Sequence, residues 1–170
     1  MIKRQSGFTL MELMVVIAII AILSGIAIPN AINWRNNAQV SSAARGLYSD
    51  LQSARSMAVK ENMNCTVLFN NNSYVIFTES SVNPTLKQEN DVRILKTVNL
   101  SKYGAVKMGE NNFPSNVTGA GEGDPAITFR PTGFPFDVDG NLSGGDVVFE
   151  GASNRKITLE AAGNVRIENY

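Results

Sequence analysis

Glu12 stands alone at the head of a long apolar run, and that placement limits what this chain can become. From Leu13 to Trp34 there are 22 residues without a charge. At about 1.5 Å per residue, an α-helix of that length reaches roughly 33 Å, enough for the hydrocarbon core of a bilayer. An acidic side chain costs about 2.5–3.5 kcal/mol at the membrane centre and less near the interface. A carboxylate kept there calls for a cation, and another copy of the same segment is the obvious source of one. A plain anchor has no need of Glu12.

Lys3 and Arg4 precede the run, and the next basic residue, Arg35, follows it. The positive-inside bias therefore favours a cytoplasmic N-terminus with the rest of the chain outside. Two ordinary readings compete, a secretory signal peptide and a signal anchor. A secretory signal calls for cleavage after small residues beyond the run, where Ala27-Ile28-Pro29-Asn30-Ala31 makes a poor site. The glycine, Gly7, comes before the run instead.

Lys3-Arg4-Gln5-Ser6-Gly7 followed by Phe8-Thr9-Leu10-Met11-Glu12-Leu13 resembles the class III signal of type IV pilins and type II secretion pseudopilins. The resemblance implies that a prepilin peptidase cuts between Gly7 and Phe8, and that the new amino group of Phe8 is N-methylated. Glu12 becomes the fifth mature residue, which in that family pairs with the N-terminal ammonium of a neighbouring subunit during assembly. Pro29 falls where these helices commonly bend; proline inside a helix removes one hydrogen bond and clashes with the preceding turn. Ser24-Gly25 weakens the same stretch. The implied partners are other pilins or pseudopilins of one filament, the prepilin peptidase and N-methyltransferase, an inner-membrane assembly platform, and lipid before assembly. The implied location is the bacterial inner membrane, single-pass, with the C-terminal domain periplasmic, and then a periplasmic or extracellular filament.

Beyond Asn30 the chain is polar but keeps helical spacing, with Val40, Ala43, Ala44, Leu47, Leu51, Ala54 and Ala58 three or four residues apart. That stripe predicts a helix lying with one side on a globular domain. Gln39, Ser42, Arg45, Asp50 and Arg55 are assigned to its other faces, and Gly46 is its weak point. A helix continuous from Phe8 to about Lys60 would be roughly 80 Å long. After Asn62 the period changes to two. Residues 66–69 and 74–78 read as a hairpin, 92–98 as a third strand, and 146–150, 155–160 and 165–168 as a meander. Residues 80–91 and 109–125, rich in Asn, Ser, Gly and Pro, read as surface loops.

One helix followed only by strands predicts an α+β fold, with the amphipathic half of the helix on antiparallel sheet. The segments are a leader at 1–7, a transmembrane and filament-core helix at 8–34, an amphipathic helix at 35–62 and a β-rich domain at 63–170. Leu47 to Val59 with the hairpin, then Ile127-Thr128-Phe129-Arg130-Pro131-Thr132-Gly133-Phe134, then Lys156-Ile157-Thr158-Leu159 with Gly163-Asn164-Val165-Arg166-Ile167, is similar to the GspH/FimT group of minor pseudopilins and minor pilins. That similarity implies a structural subunit near the tip of a secretion pseudopilus or a type IV pilus.

Composition narrows the alternatives. The chain has no histidine, which removes the commonest general base and a main metal ligand. No enzyme is expected, and no cofactor. Cys65 is the single cysteine, so no intramolecular disulfide forms; it reads as a buried small hydrophobe. Asp137-Val138-Asp139-Gly140-Asn141 resembles part of a calcium loop but lacks the closing glutamate, and Asp139-Gly140 is an ordinary turn dipeptide. No metal is expected there. Some FimT-like minor pilins bind DNA through a basic Gly-Arg-x-Arg tail, and Gly163-Asn164-Val165-Arg166 keeps one of its two arginines. With 15 basic and 15 acidic residues, counterion release offers little affinity, so DNA capture through Arg166 is the alternative reading. Trp34 fits either an interfacial anchor or a contact between subunits.

Overall fold

The computed structural model describes residues 8–79, 92–114, 124–137 and 139–170. Gly7 and the rest of 1–7, the loop expected at 80–91, residues 115–123 and Val138 lie outside the described residues. The chain divides into two units, Met1–Arg35 and Asn36–Tyr170.

A single helix, α1 (Leu10–Glu61), carries the N-terminal part of the chain. Thr9 caps its start: the Thr9 Oγ1 accepts from the Glu12 amide at 3.2 Å, and the Thr9 carbonyl accepts from the Leu13 amide at 3.2 Å. This satisfies donors that a helix otherwise leaves open in its first turn. Asn62 ends it by taking a left-handed φ of 54°. The Met63 amide then reaches back to the Ala58 carbonyl at 3.3 Å, the six-to-one bond of a Schellman stop. Pro29 lies inside the helix, which remains helical through it.

In the first unit the apolar side chains of α1 are bare. Leu10, Met11, Ile26 and Trp34 are more than 70 % exposed, and even the best covered of the large ones, Val16, is 42 % exposed. The mean hydropathy of the apolar stretch reaches 2.6. An exposed apolar surface of this extent marks a region that meets lipid or another protein.

In the second unit the stripe behaves as the spacing predicts. Val40, Ala43, Ala44, Leu47, Leu51, Ala54 and Ala58 are all buried. Four of the seven are alanines, which keep that side of the helix low. Those strands form two antiparallel sheets rather than one. The first holds β1 (Asn64–Asn70), β2 (Ser73–Glu79), β3 (Val92–Asn99), β5 (Ala126–Phe129) and β6 (Pro135–Phe136), in the order β3-β2-β1-β5-β6. The second holds β4 (Lys107–Asn111), β7 (Gly145–Glu150), β8 (Arg155–Leu159) and β9 (Val165–Asn169), in the order β4-β7-β8-β9.

Alternation along the strands sends Cys65, Val67 and Phe69 of β1, Val147 and Phe149 of β7, and Ile157 and Leu159 of β8 into one core with the helix stripe. Leu68, Phe77 and Ala126 form a smaller cluster on the opposite face of the first sheet. The rings of Phe69 and Phe113 stack with centroids 4.8 Å apart.

The hairpin, β3 and the C-terminal meander fall where the sequence places them. The loop expected from residue 109 does not begin there: β4 runs to Asn111 and pairs with β7, and Phe113 is buried. Asp50 also departs from expectation. It is 6 % exposed and sits on the buried side of the helix, three residues beyond Leu47.

Candidate functional site

The first turn of α1 sets the geometry of the N-terminal site. Thr9 is the N-cap and Glu12 the third helical residue, the Thr-x-x-Glu spacing of a capping box. The hydroxyl half of that box is formed. A carboxylate here also lies near the positive end of the helix dipole. Glu12 is therefore held by its backbone in a defined first turn, with its side chain exposed and free for a cation from outside the chain. Phe8, two residues before the helix, is 80 % exposed. Thr9 was not singled out from sequence, although the Thr-x-x-Glu pattern was there to be read.

The other sequence candidates resolve into local structure. Arg166 is an exposed residue of β9 whose Nη2 lies 2.7 Å from the Glu160 Oε1. Its charge is thus matched, and it stands as a solvated strand residue. Asp137 closes a turn: its Oδ1 accepts from the Asn141 amide at 2.8 Å and its Oδ2 from the Asn141 Nδ2 at 3.4 Å, while Gly140 supplies a φ of +85°. Among the described residues, no three of His, Cys, Asp and Glu gather as a metal site. Cys65 is buried, and burial, with Glu61 nearby, pushes its thiol pKa up to about 12. Such a thiol is inert. Trp34 is 74 % exposed.

Asp50 is the polar centre that sequence reasoning missed. Its carboxylate accepts from the Tyr74 Oη at 2.8 Å and from the Lys96 Nζ at 2.6 and 2.8 Å. Burial and the adjacent carboxylate raise the Tyr74 pKa far above the ordinary phenol value. Helix, β2 and edge strand β3 are joined at this one point.

The family model for "Type II transport protein GspH" matches residues 43–163. The chain belongs to the GspH family. A second model, for the prokaryotic N-terminal methylation motif, matches residues 2–28 of this GspH-family protein. A fimbrial protein of Pseudomonas aeruginosa is 33 % identical over 117 residues, covering 62 % of this chain and 75 % of its own length. The type IV major pilin protein PilA of Myxococcus xanthus is 52 % identical over 44 residues, 26 % of this chain and 20 % of PilA. Among solved structures, the minor pseudopilin EpsH of the Vibrio cholerae type 2 secretion system superposes with a TM-score of 0.55 at 10 % identity, over 77 % of this chain and 97 % of EpsH. The Pseudomonas aeruginosa type IV minor pilin FimU gives 0.53 at 17 % identity, over 78 % and 90 %. At those identities the structures speak for the fold: a long N-terminal helix packed on antiparallel sheets.

Proposed function

We propose that this GspH-family chain is a structural minor subunit of a pilus or type II secretion pseudopilus, and that removal of residues 1–7 switches it from membrane resident to filament subunit. The observation that carries the reading is Glu12, held in the capped first turn of an otherwise apolar, uncovered helix. Before cleavage the Phe8 nitrogen is an uncharged amide. Cleavage between Gly7 and Phe8 makes it an ammonium, which N-methylation keeps cationic at neutral pH. A Glu12 carboxylate then has a partner on the adjoining subunit, and removing both charges from contact with lipid favours assembly. The match to the N-terminal methylation motif over 2–28 supports the processing step.

Lys3 and Arg4 favour a cytoplasmic leader, with the unit from Asn36 onward on the periplasmic side. The expected companions are other pilins or pseudopilins of the same filament, the prepilin peptidase and the inner-membrane assembly platform. Pro29 supplies a point at which the helix can yield during packing. No catalytic role is assigned.

Mass spectrometry of the mature N-terminus should find N-methylated Phe8. A Glu12→Val chain should still insert in the membrane but be lost from sheared filaments. A mature chain beginning at Met1, or normal incorporation of the valine variant, would overturn the reading.

A further inference from the structure

Ser41, Ala44, Arg45, Arg155 and Ile167 line a cleft of about 210 Å³ in the second unit. Strand register explains how residues so far apart in sequence meet. Along β8, Arg155, Ile157 and Leu159 point to one face; Ile157 and Leu159 enter the core, and Arg155 is left at its rim. Ile167 of β9 stands opposite Ile157 and Asn169 opposite Arg155. β9 is the outer strand of its sheet, and Ile167 remains 38 % exposed. From the helix, Ser41, Ala44 and Arg45 share one face at spacings of three and four.

The charges in this cleft are unmatched. Among the described residues, the ion pairs are Arg93–Glu61, Lys96–Asp50, Lys156–Asp146 and Arg166–Glu160. Arg45 and Arg155 belong to none of them, although both line the same small space. Two guanidinium groups sharing one cleft repel each other, and an anion between them removes that cost. The rest of the lining is partly apolar, from buried Ala44 and from Ile167. Ser41 adds a hydroxyl at the wall. A carboxylate on a short aliphatic stem matches all three features: fork-shaped donors for its oxygens, and apolar contact for its methylenes.

We infer that this cleft receives an aspartate or glutamate side chain from a neighbouring subunit of the filament, an assignment that rests on the filament reading above. A protein carboxylate fits better than a nucleic-acid backbone. A polyanion needs a row of cations, whereas this cleft is lined by two arginines and the chain carries no net charge. A single carboxylate needs no more than those two. Such a contact chooses partner and register, because the wrong neighbour leaves the two arginines facing each other.

The test compares full-length chains in sheared filaments and in the membrane fraction. Arg45→Glu with Arg155→Glu should lower filament incorporation by about tenfold or more, and Arg45→Lys with Arg155→Lys should keep much of it. N-terminal processing and the urea midpoint should stay at the parental level in both, which separates a lost contact from a lost fold. Wild-type incorporation of the reversed chain, beside a Glu12→Val control that fails, would overturn the cleft assignment alone. Absence of the parental chain from filaments would overturn the filament reading and this inference with it. A second measurement uses the purified full-length chain in detergent micelles with poly-glutamate and with a short DNA duplex. Salt-sensitive poly-glutamate binding that weakens about tenfold in Arg45→Gln with Arg155→Gln supports the assignment. Duplex binding abolished by that variant would give the cleft to nucleic acid and overturn it.

Discussion

The Lys96 ammonium grips both oxygens of the Asp50 carboxylate, at 2.6 and 2.8 Å, and so ties the edge strand β3 to the helix. The two partners are unequal. The Asp50 side chain is 8 % exposed and also accepts from the buried Tyr74 hydroxyl, whereas the Lys96 side chain is 49 % exposed. Removing the acceptor strands a buried phenol; removing the lysine exposes little that water cannot solvate. Asp50→Ala should therefore cost about 2–3 kcal/mol and Lys96→Ala about 1 kcal/mol or less, read as shifts in the urea midpoint. Equal costs would show that the ion pair, and not the buried hydrogen bond, carries the joint.

Alkali should loosen the β domain in a defined way. Burial raises the Cys65 thiol from 9.0 to about 12, and burial with Asp50 raises Tyr74 from 10.0. The folded chain keeps these protons while the unfolded chain releases them. Their stabilisation is thus complete below pH 9.0 and is lost as pH rises, at about 1.4 kcal/mol per pH unit for each titrating group. Between pH 9.0 and 10.0 the thiol alone contributes, so Cys65→Ala should flatten the fall there. A urea midpoint unchanged from pH 8 to 11 would contradict the burial argument.

What the sequence disclosed follows from the range of the interactions involved. The helix stripe was legible because its period is local, and all seven of its residues are buried. The N-terminal methylation motif, matched over residues 2–28, was legible because it is a linear motif. Asp50 was misplaced because its charge was weighed above its spacing, and the spacing was right. β4 was hidden because Lys107–Asn111 has weak strand propensity and owes its state to pairing with β7, distant in the chain. Division into two sheets, and the meeting of Arg45 with Arg155, depend on strand order and register. Neither is written in any local pattern.

Two adjacent glycines hold the meander against its surroundings. A Cβ at Gly144 would run into the Leu159 carbonyl oxygen and lie 3.0 Å from the Ala161 nitrogen; one at Gly145 would meet Phe113. The Leu159 obstacle is backbone and cannot rotate away. Gly144→Ala should destabilise by about 1–3 kcal/mol, and Gly145→Ala should in addition disturb the Phe69–Phe113 stack. Gly25→Ala is the control, with nothing within 4 Å of the added carbon. Urea midpoints at the parental value for Gly144→Ala would refute this packing.

The Thr9 cap matters because Glu12 can meet an outside cation only from a formed first turn. The Thr9 hydroxyl holds the Glu12 amide at 3.2 Å, and an N-cap of this kind contributes about 1 kcal/mol. Thr9→Val keeps the shape and removes the acceptor, so exchange of the Glu12 amide in micelles should quicken by about fivefold, while Thr9→Ser should leave it near the parental rate. The same Thr9→Val chain should enter filaments less readily than Thr9→Ser although Glu12 itself is intact, because its carboxylate starts from a frayed turn. Loss of incorporation without faster exchange would mean that Thr9 acts through direct contact with the neighbouring subunit. Faster exchange with normal incorporation would mean that assembly itself rebuilds the turn.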